Sequence, residues 1–164
     1  QAGIRGPRYR NSGMKQMVAA AMLLALATGA ARADSENCRK SREYLLGTPG
    51  GDLALTSQAY NDLFKVCIAT SAMSNVKDAY MLRDGGIAVI PKQDSVPATA
   101  ATLAQFCDAH PHGVLRFITA KEKVSIRSVT DVARMSSTAG SSLALTSLTV
   151  TANCASLPAS SSAP

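Results

Sequence analysis

Apolar positions in this chain recur mostly at three- and four-residue steps, the spacing that gathers them on one face of a helix. The longest such stretch covers 56–83, where Tyr60, Leu63, Phe64, Cys67, Ile68, Ala72, Val76, Ala79 and Tyr80 draw one stripe. Thr56 or Ser57 can cap its start, and Gly85-Gly86 stops it. A shorter helix fits 36–46, capped by Ser35, apolar along Cys38, Leu45 and Leu46, and ended by Gly47 and Pro49. A third is expected from about Val96-Pro97, because proline is tolerated in a first turn. It carries Ala100, Leu103, Ala104 and Cys107 on one side and ends at His110-Pro111-His112-Gly113. A fourth fits 128–135 through Val129, Val132 and Ala133.

The rest of the pattern is less helical. Residues 87–91 (IAVIP) form a short apolar run before a polar turn, and 114–118 (VLRFI) reads equally as helix or strand. A small-residue linker at 136–142 leads into 142–152, where Leu148, Val150 and Ala152 alternate as in a strand. The string LALTS at 53–57 recurs at 143–147, too short to define a repeat. These elements predict a mainly α fold: a small single-domain helical bundle of about four helices with disulfides, and room for a short C-terminal strand.

The ends of the chain narrow the domain to 34–154. Met14 and Lys15 precede ten uncharged apolar residues, 18–27, and Ala31-Arg32-Ala33 then matches the A-x-A pattern of a signal-peptidase site. Ten residues are about half of what a membrane-spanning helix needs. Residues 14–33 are therefore expected to be a signal peptide cleaved before Asp34, which implies a periplasmic protein. The basic, Gly- and Pro-containing residues 1–13 are set aside as an upstream extension, and 155–164 (ASLPASSSAP) as a disordered tail.

Removing the leader changes the charge. The whole chain is formally +6, but five of its 17 Lys and Arg precede Asp34 and all 11 acids lie at or after it. Twelve bases against 11 acids leave +1. With no basic cluster larger than Arg39-Lys40-Arg42 and no Trp, the chain lacks the face and the stacking surface that nucleic acid requires.

Four cysteines, Cys38, Cys67, Cys107 and Cys154, are an even count, which in an exported chain points to two disulfides. Three connectivities are open. A short connection between the helices that carry Cys67 and Cys107 would bring them together, and Cys38 would then take Cys154.

No assembled chemistry stands out. Cys107, His110 and His112 in CDAHPH offer three ligand types without a fourth at a familiar spacing, so no metal site is expected. There is no G-x-S-x-G elbow, no G-x-G-x-x-G loop and no paired carboxylate, so no catalytic residue and no cofactor is expected either.

One segment carries a resemblance. From Phe64 to His112 the chain runs through Cys67-Ile68, Val76-Lys77-Asp78-Ala79-Tyr80, an apolar pair before Pro91, Leu103, and a closing Phe106-Cys107-Asp108-Ala109-His110-Pro111. This order resembles the Rap/Tai-type amidase-immunity proteins of type VI secretion, over about 50 residues. The resemblance implies a compact, disulfide-containing helical domain that binds a cognate cell-wall amidase toxin and blocks it. It departs from the family where Val89 or Ile90 replaces a cysteine before Pro91, and in the Thr-rich stretch before Cys154. The Hde-type periplasmic acid-stress chaperones are similar in size and compartment, and imply acid-triggered client binding instead.

Both resemblances imply a protein partner. The residues suggest a contact surface in the loop 85–96, where the apolar centre 87–90, led by Ile87, is rimmed by Asp84, Lys92 and Asp94. The competing expectation is that Ile87, Val89 and Ile90 turn inward and cap the core. With a charge of only +1, partner affinity is expected to depend weakly on salt.

Overall fold

A computed structural model describes residues 36–48, 55–138 and 150–157. The expected signal peptide at 14–33, most of the 142–152 segment and the last seven residues lie outside the described residues. The fold is mixed α/β rather than a helical bundle. Helices α1 (Glu36–Gly47) and α2 (Ser57–Ser71) precede strands β1 (Val76–Met81) and β2 (Ile87–Pro91). Then come α3 (Val96–Ala109), β3 (Val114–Phe117), the short helices α4 (Ala120–Lys123) and α5 (Val129–Ala133), β4 (Thr151–Asn153) and a 3-10 turn at Cys154–Ser156.

The strands form one four-stranded sheet in chain order. β1 and β2 are an antiparallel hairpin, β2 and β3 run parallel with α3 as the crossover, and β4 returns antiparallel to β3. The register sorts side chains onto two faces. Met81, Ile87, Leu115 and Ala152 lie side by side on one, and Tyr80, Ala88, Arg116 and Thr151 on the other.

The first face packs against Cys38, Leu45, Tyr60, Cys67, Leu103 and Phe106 of α1, α2 and α3. The second is covered by the 119–138 segment, whose Ile126, Val129, Val132 and Met135 pack on Tyr80, Ala88, Ile90 and Ile118. β1 is an edge strand, and α1 closes part of that edge: the buried Ser41 hydroxyl accepts the Met81 amide at 3.0 Å.

The expected helix over 56–83 is therefore two elements. Its first part holds, with Thr56 as N-cap accepting from the Ala59 amide. It ends at Ser71, and Val76–Met81 is strand. A strand buried on both faces shows a continuous apolar run instead of alternation, and Ala79, Tyr80, Met81 and Leu82 are all buried. Gly85-Gly86 does not stop a helix but turns the hairpin, with Gly85 at φ +94°. VLRFI resolves to β3. The third helix starts at Val96 and ends before His110-Pro111 as expected; Ser95 is its N-cap, and the face it buries is Thr99, Thr102, Leu103 and Phe106.

The cysteines pair, but not as expected. Cys38 joins Cys67, and Cys107 joins Cys154. The expected pairing assumed that one short loop links the helices carrying Cys67 and Cys107. A β-hairpin intervenes, so Cys67 faces α1 instead, and the end of α3 faces the end of β4. Formed disulfides mark a chain that works in a non-reducing environment. No helix among the described residues is long and apolar enough to cross a membrane.

Candidate functional site

The two parallel strands give the domain two poles. At their amino ends a cleft of about 490 Å³ opens between α2 and the turn after α3. Leu63, Val66, Ile87, Phe106 and Val114 make its apolar walls, and Asp62, His110 and His112 stand among the lining residues.

The turn His110–Gly113 is held from several sides. The His110 amide donates to the Phe106 carbonyl at 2.8 Å, the Gly113 amide to the His110 carbonyl at 2.9 Å, and the Cys154 amide to the Gly113 carbonyl at 3.0 Å. The His110 ring tilts against Phe106 with centroids 5.1 Å apart. Gly113 is required here, since a Cβ would come within 2.7 Å of the Phe106 ring. The Cys107–Cys154 bond pins the base of this turn. Pro111 and His112 are exposed upon it, while His110 Nε2 is buried with no hydrogen-bond partner. Cys107, spent in the disulfide, is no metal ligand. Among the described residues no three His, Cys, Asp or Glu are grouped to hold a metal ion.

The sequence-derived contact residues divide between the poles. Asp84 and Ile87 sit at the amino end of β2, and Lys92 and Asp94 follow its carboxyl end, roughly 15 Å away for a strand of this length. Ile87 is 1 % exposed, and Val89 and Ile90 are also buried, so the run 87–90 is sheet core. Asp84 is half-buried and accepts bonds from the Ser137 amide and hydroxyl, both at 2.7 Å, and from the Ser136 hydroxyl at 3.0 Å. Burial pushes its carboxyl up, but the bonds from Ser137 and Ser136 outweigh that and hold it below the usual carboxylate range. Lys92 and Asp94 are exposed.

At the carboxyl pole Asp94 shares a crevice of about 350 Å³ with Ile90, Pro91, Ile118, Ala120, Lys123 and Val124. Val124 is 86 % exposed. The same 119–138 segment covers Arg116, 4 % exposed on β3, whose Nη2 donates to Glu122 at 2.5 Å and whose Nη1 meets Met135 Sδ. Glu122 also takes the Thr119 amide and hydroxyl. Burial raises its carboxyl, and the Thr119 amide and Arg116 together bring it below its ordinary value.

These residues were not singled out from the sequence, although signals exist. Arg116 is a lone charge inside an apolar run. Thr119-Ala-Lys-Glu122 and Ser128-Val-Thr-Asp131 have the spacing of capping boxes. Only the packing reveals that Val124 points outward.

Comparison of the chain with known protein families, with curated proteins and with solved structures finds no match.

Proposed function

We propose that this chain is an exported, disulfide-braced protein-binding domain, delivered to the periplasm by a leader cleaved before Asp34. It acts by occupying a partner rather than by turnover. The observation that carries this reading is the clamped His110–Gly113 turn beside the apolar cleft. A turn held by three backbone bonds and a disulfide loses little freedom on docking, and it presents exposed Pro111 and His112 next to apolar walls. That is the anatomy of a contact surface with an apolar centre and a polar rim.

The narrower reading is an immunity protein that binds and inhibits a cell-wall amidase toxin. It draws on the resemblance of residues 64–112, whose Phe106…His110-Pro111 end builds this very turn. The helical fold that the resemblance implied is not the fold here, so the support lies in the segment alone.

The test mixes the purified chain with purified cell-wall amidases, beginning with any whose gene adjoins that of this chain, and follows peptidoglycan cleavage. A stable one-to-one complex that abolishes cleavage at neutral pH is expected. His112→Glu with Pro111→Gly should weaken it more than tenfold, given that hot spots concentrate in few residues. Full cleavage in the presence of excess chain would reject the immunity reading. Binding of many unrelated proteins only after acidification would favour the chaperone reading instead.

A further inference from the structure

The carboxyl pole holds a feature that the near-neutral charge of residues 34–164 conceals. Residues 119–128 form a ledge over the second sheet face, and its one acid, Glu122, is turned inward onto Arg116. Lys121, Lys123 and Arg127 are exposed. None of their side chains makes an ion pair or hydrogen bond among the described residues, whereas Arg39, Lys40 and Lys65 all meet carboxylates on their own helices. Lys121, Lys123 and Arg127 thus flank in sequence Val124, the most exposed large apolar residue among those described, and Asp94 is the one acid lining the crevice that Lys123 and Val124 share.

The ledge is also rigid. Its start is closed by the Thr119–Glu122 capping box. Its end is closed by Asp131, which accepts the Arg127 and Ser128 amides, each at 2.9 Å. Between them the Ser125 amide and hydroxyl both return to the Glu122 carbonyl, and Ile126 packs inward. The exposed valine is held out by its neighbours.

We infer that residues 119–128 dock an acidic protein segment, with Lys121, Lys123 and Arg127 meeting its carboxylates and Val124 and the adjoining crevice receiving an apolar side chain. The inference rests on the protein-binding reading and adds the chemistry of the partner. Charge complementarity selects the occupant, because like charges across an interface are strongly rejected and opposite ones steer encounter. Three cations are too few to grip a nucleic-acid backbone. A single valine without an aromatic neighbour is a poor membrane anchor. The local field also revises the expected salt response: a net charge near zero does not make this ledge neutral.

The test titrates the isotope-labelled full chain, both disulfides intact, with a short synthetic peptide of Glu and Asp around one central Leu. A peptide with Gln and Asn in place of the acids and vesicles containing phosphatidylglycerol serve as the other arms. Amide shifts should centre on residues 119–128, with affinity for the acidic peptide about tenfold above the neutral one and falling as salt is added. Lys121→Glu with Lys123→Glu should remove that advantage, and Val124→Ser should weaken binding about threefold. Lys121→Gln with Lys123→Gln repeats the test without charge reversal, and the melting temperature of each variant checks that the fold survives. Equal binding of both peptides, shifts centred on His110–Gly113, or a response to vesicles but not peptide each overturns the inference. Inhibition of the toxin without a ledge response rejects this inference alone, and a ledge response without toxin binding rejects the immunity reading alone.

Discussion

On the face of the sheet that carries α1, α2 and α3, the covering elements are fastened covalently. Cys38–Cys67 ties α1 to α2, and Cys107–Cys154 ties the end of α3 to the end of β4. On the opposite face the 119–138 cover is fastened by carboxylates. Glu122 holds it to Arg116, Asp131 caps α5, and Asp84 grips Ser136 and Ser137 where the cover meets the hairpin. The two faces therefore answer to different variables, one to redox state and the other to pH. A neutral tie supplements the second set, because the Arg83 amide donates to the Ala133 carbonyl at 3.2 Å.

The largest effect should come from the covalent face. Cys38→Ser with Cys67→Ser opens a loop spanning 29 residues, and loop-closure entropy puts the loss at about 3–4 kcal/mol. Urea unfolding at neutral and acid pH should show a similar decrement at both. A decrement confined to acid would erase the distinction between the faces.

Next comes the buried arginine. Glu122→Gln leaves a cation at 4 % exposure without its anion. Breaking a fully buried pair costs about 3–5 kcal/mol, and the solvent access of Glu122 lowers that to about 2 kcal/mol. Hydrogen exchange should accelerate in 119–138 and stay unchanged in α2. Arg116→Met added to Glu122→Gln should recover most of the loss, since an apolar replacement removes the stranded charge. No recovery would mean that the pair acts through shape rather than charge.

Acidification tests the same face without mutation. Glu122, Asp84 and Asp131 are each held below their ordinary values. A depressed carboxylate contributes stability that is complete above its unfolded pKa and is lost as pH falls through the folded one. Lowering the pH from about 6 to about 3 should therefore loosen the cover first, read as exchange protection lost in 119–138 while the disulfide-bonded helices stay protected. Simultaneous loss on both faces would show that the carboxylates do not act locally. Glu36 and Asp62 are lowered too, but they belong to exposed pairs on helix surfaces, where ion pairs contribute little.

The smallest effect is at the hairpin shared by both faces. Gly85→Ala places a side chain at φ +94°, with its Cβ 3.2 Å from Leu55 Cδ1. A cost of about 1 kcal/mol is expected, visible as a small drop in melting temperature common to both faces. A drop confined to either would show that the turn belongs to that face alone.

Helix starts were legible from local signals, Thr56 before α2 and Val96-Pro97 in the first turn of α3, and the end of α3 from His110-Pro111. β1 and β2 were not, because β2 and the second half of β1 are buried on both sides and so lack the polar alternation that identifies a half-exposed strand. Of the suggested contact surface, Lys92 and Asp94 are exposed, while its apolar centre is sheet interior. The exposed apolar residue beside Asp94 is Val124, thirty positions further along the chain. No local pattern announces that neighbour.

The sequence by itself determined the local choices: where α1, α2 and α3 start, that four cysteines form two bonds, and that residues 34–164 carry a charge near zero. Capping, periodicity, backbone freedom and counting all act within a few residues, so they survive being read in one dimension. Tertiary structure decided which cysteines meet, which side of β2 faces which helix, and that Arg116 goes inward while Val124 goes out. Those outcomes depend on strand register and on the burial of both sheet faces, and both are set by contacts between residues far apart in the chain.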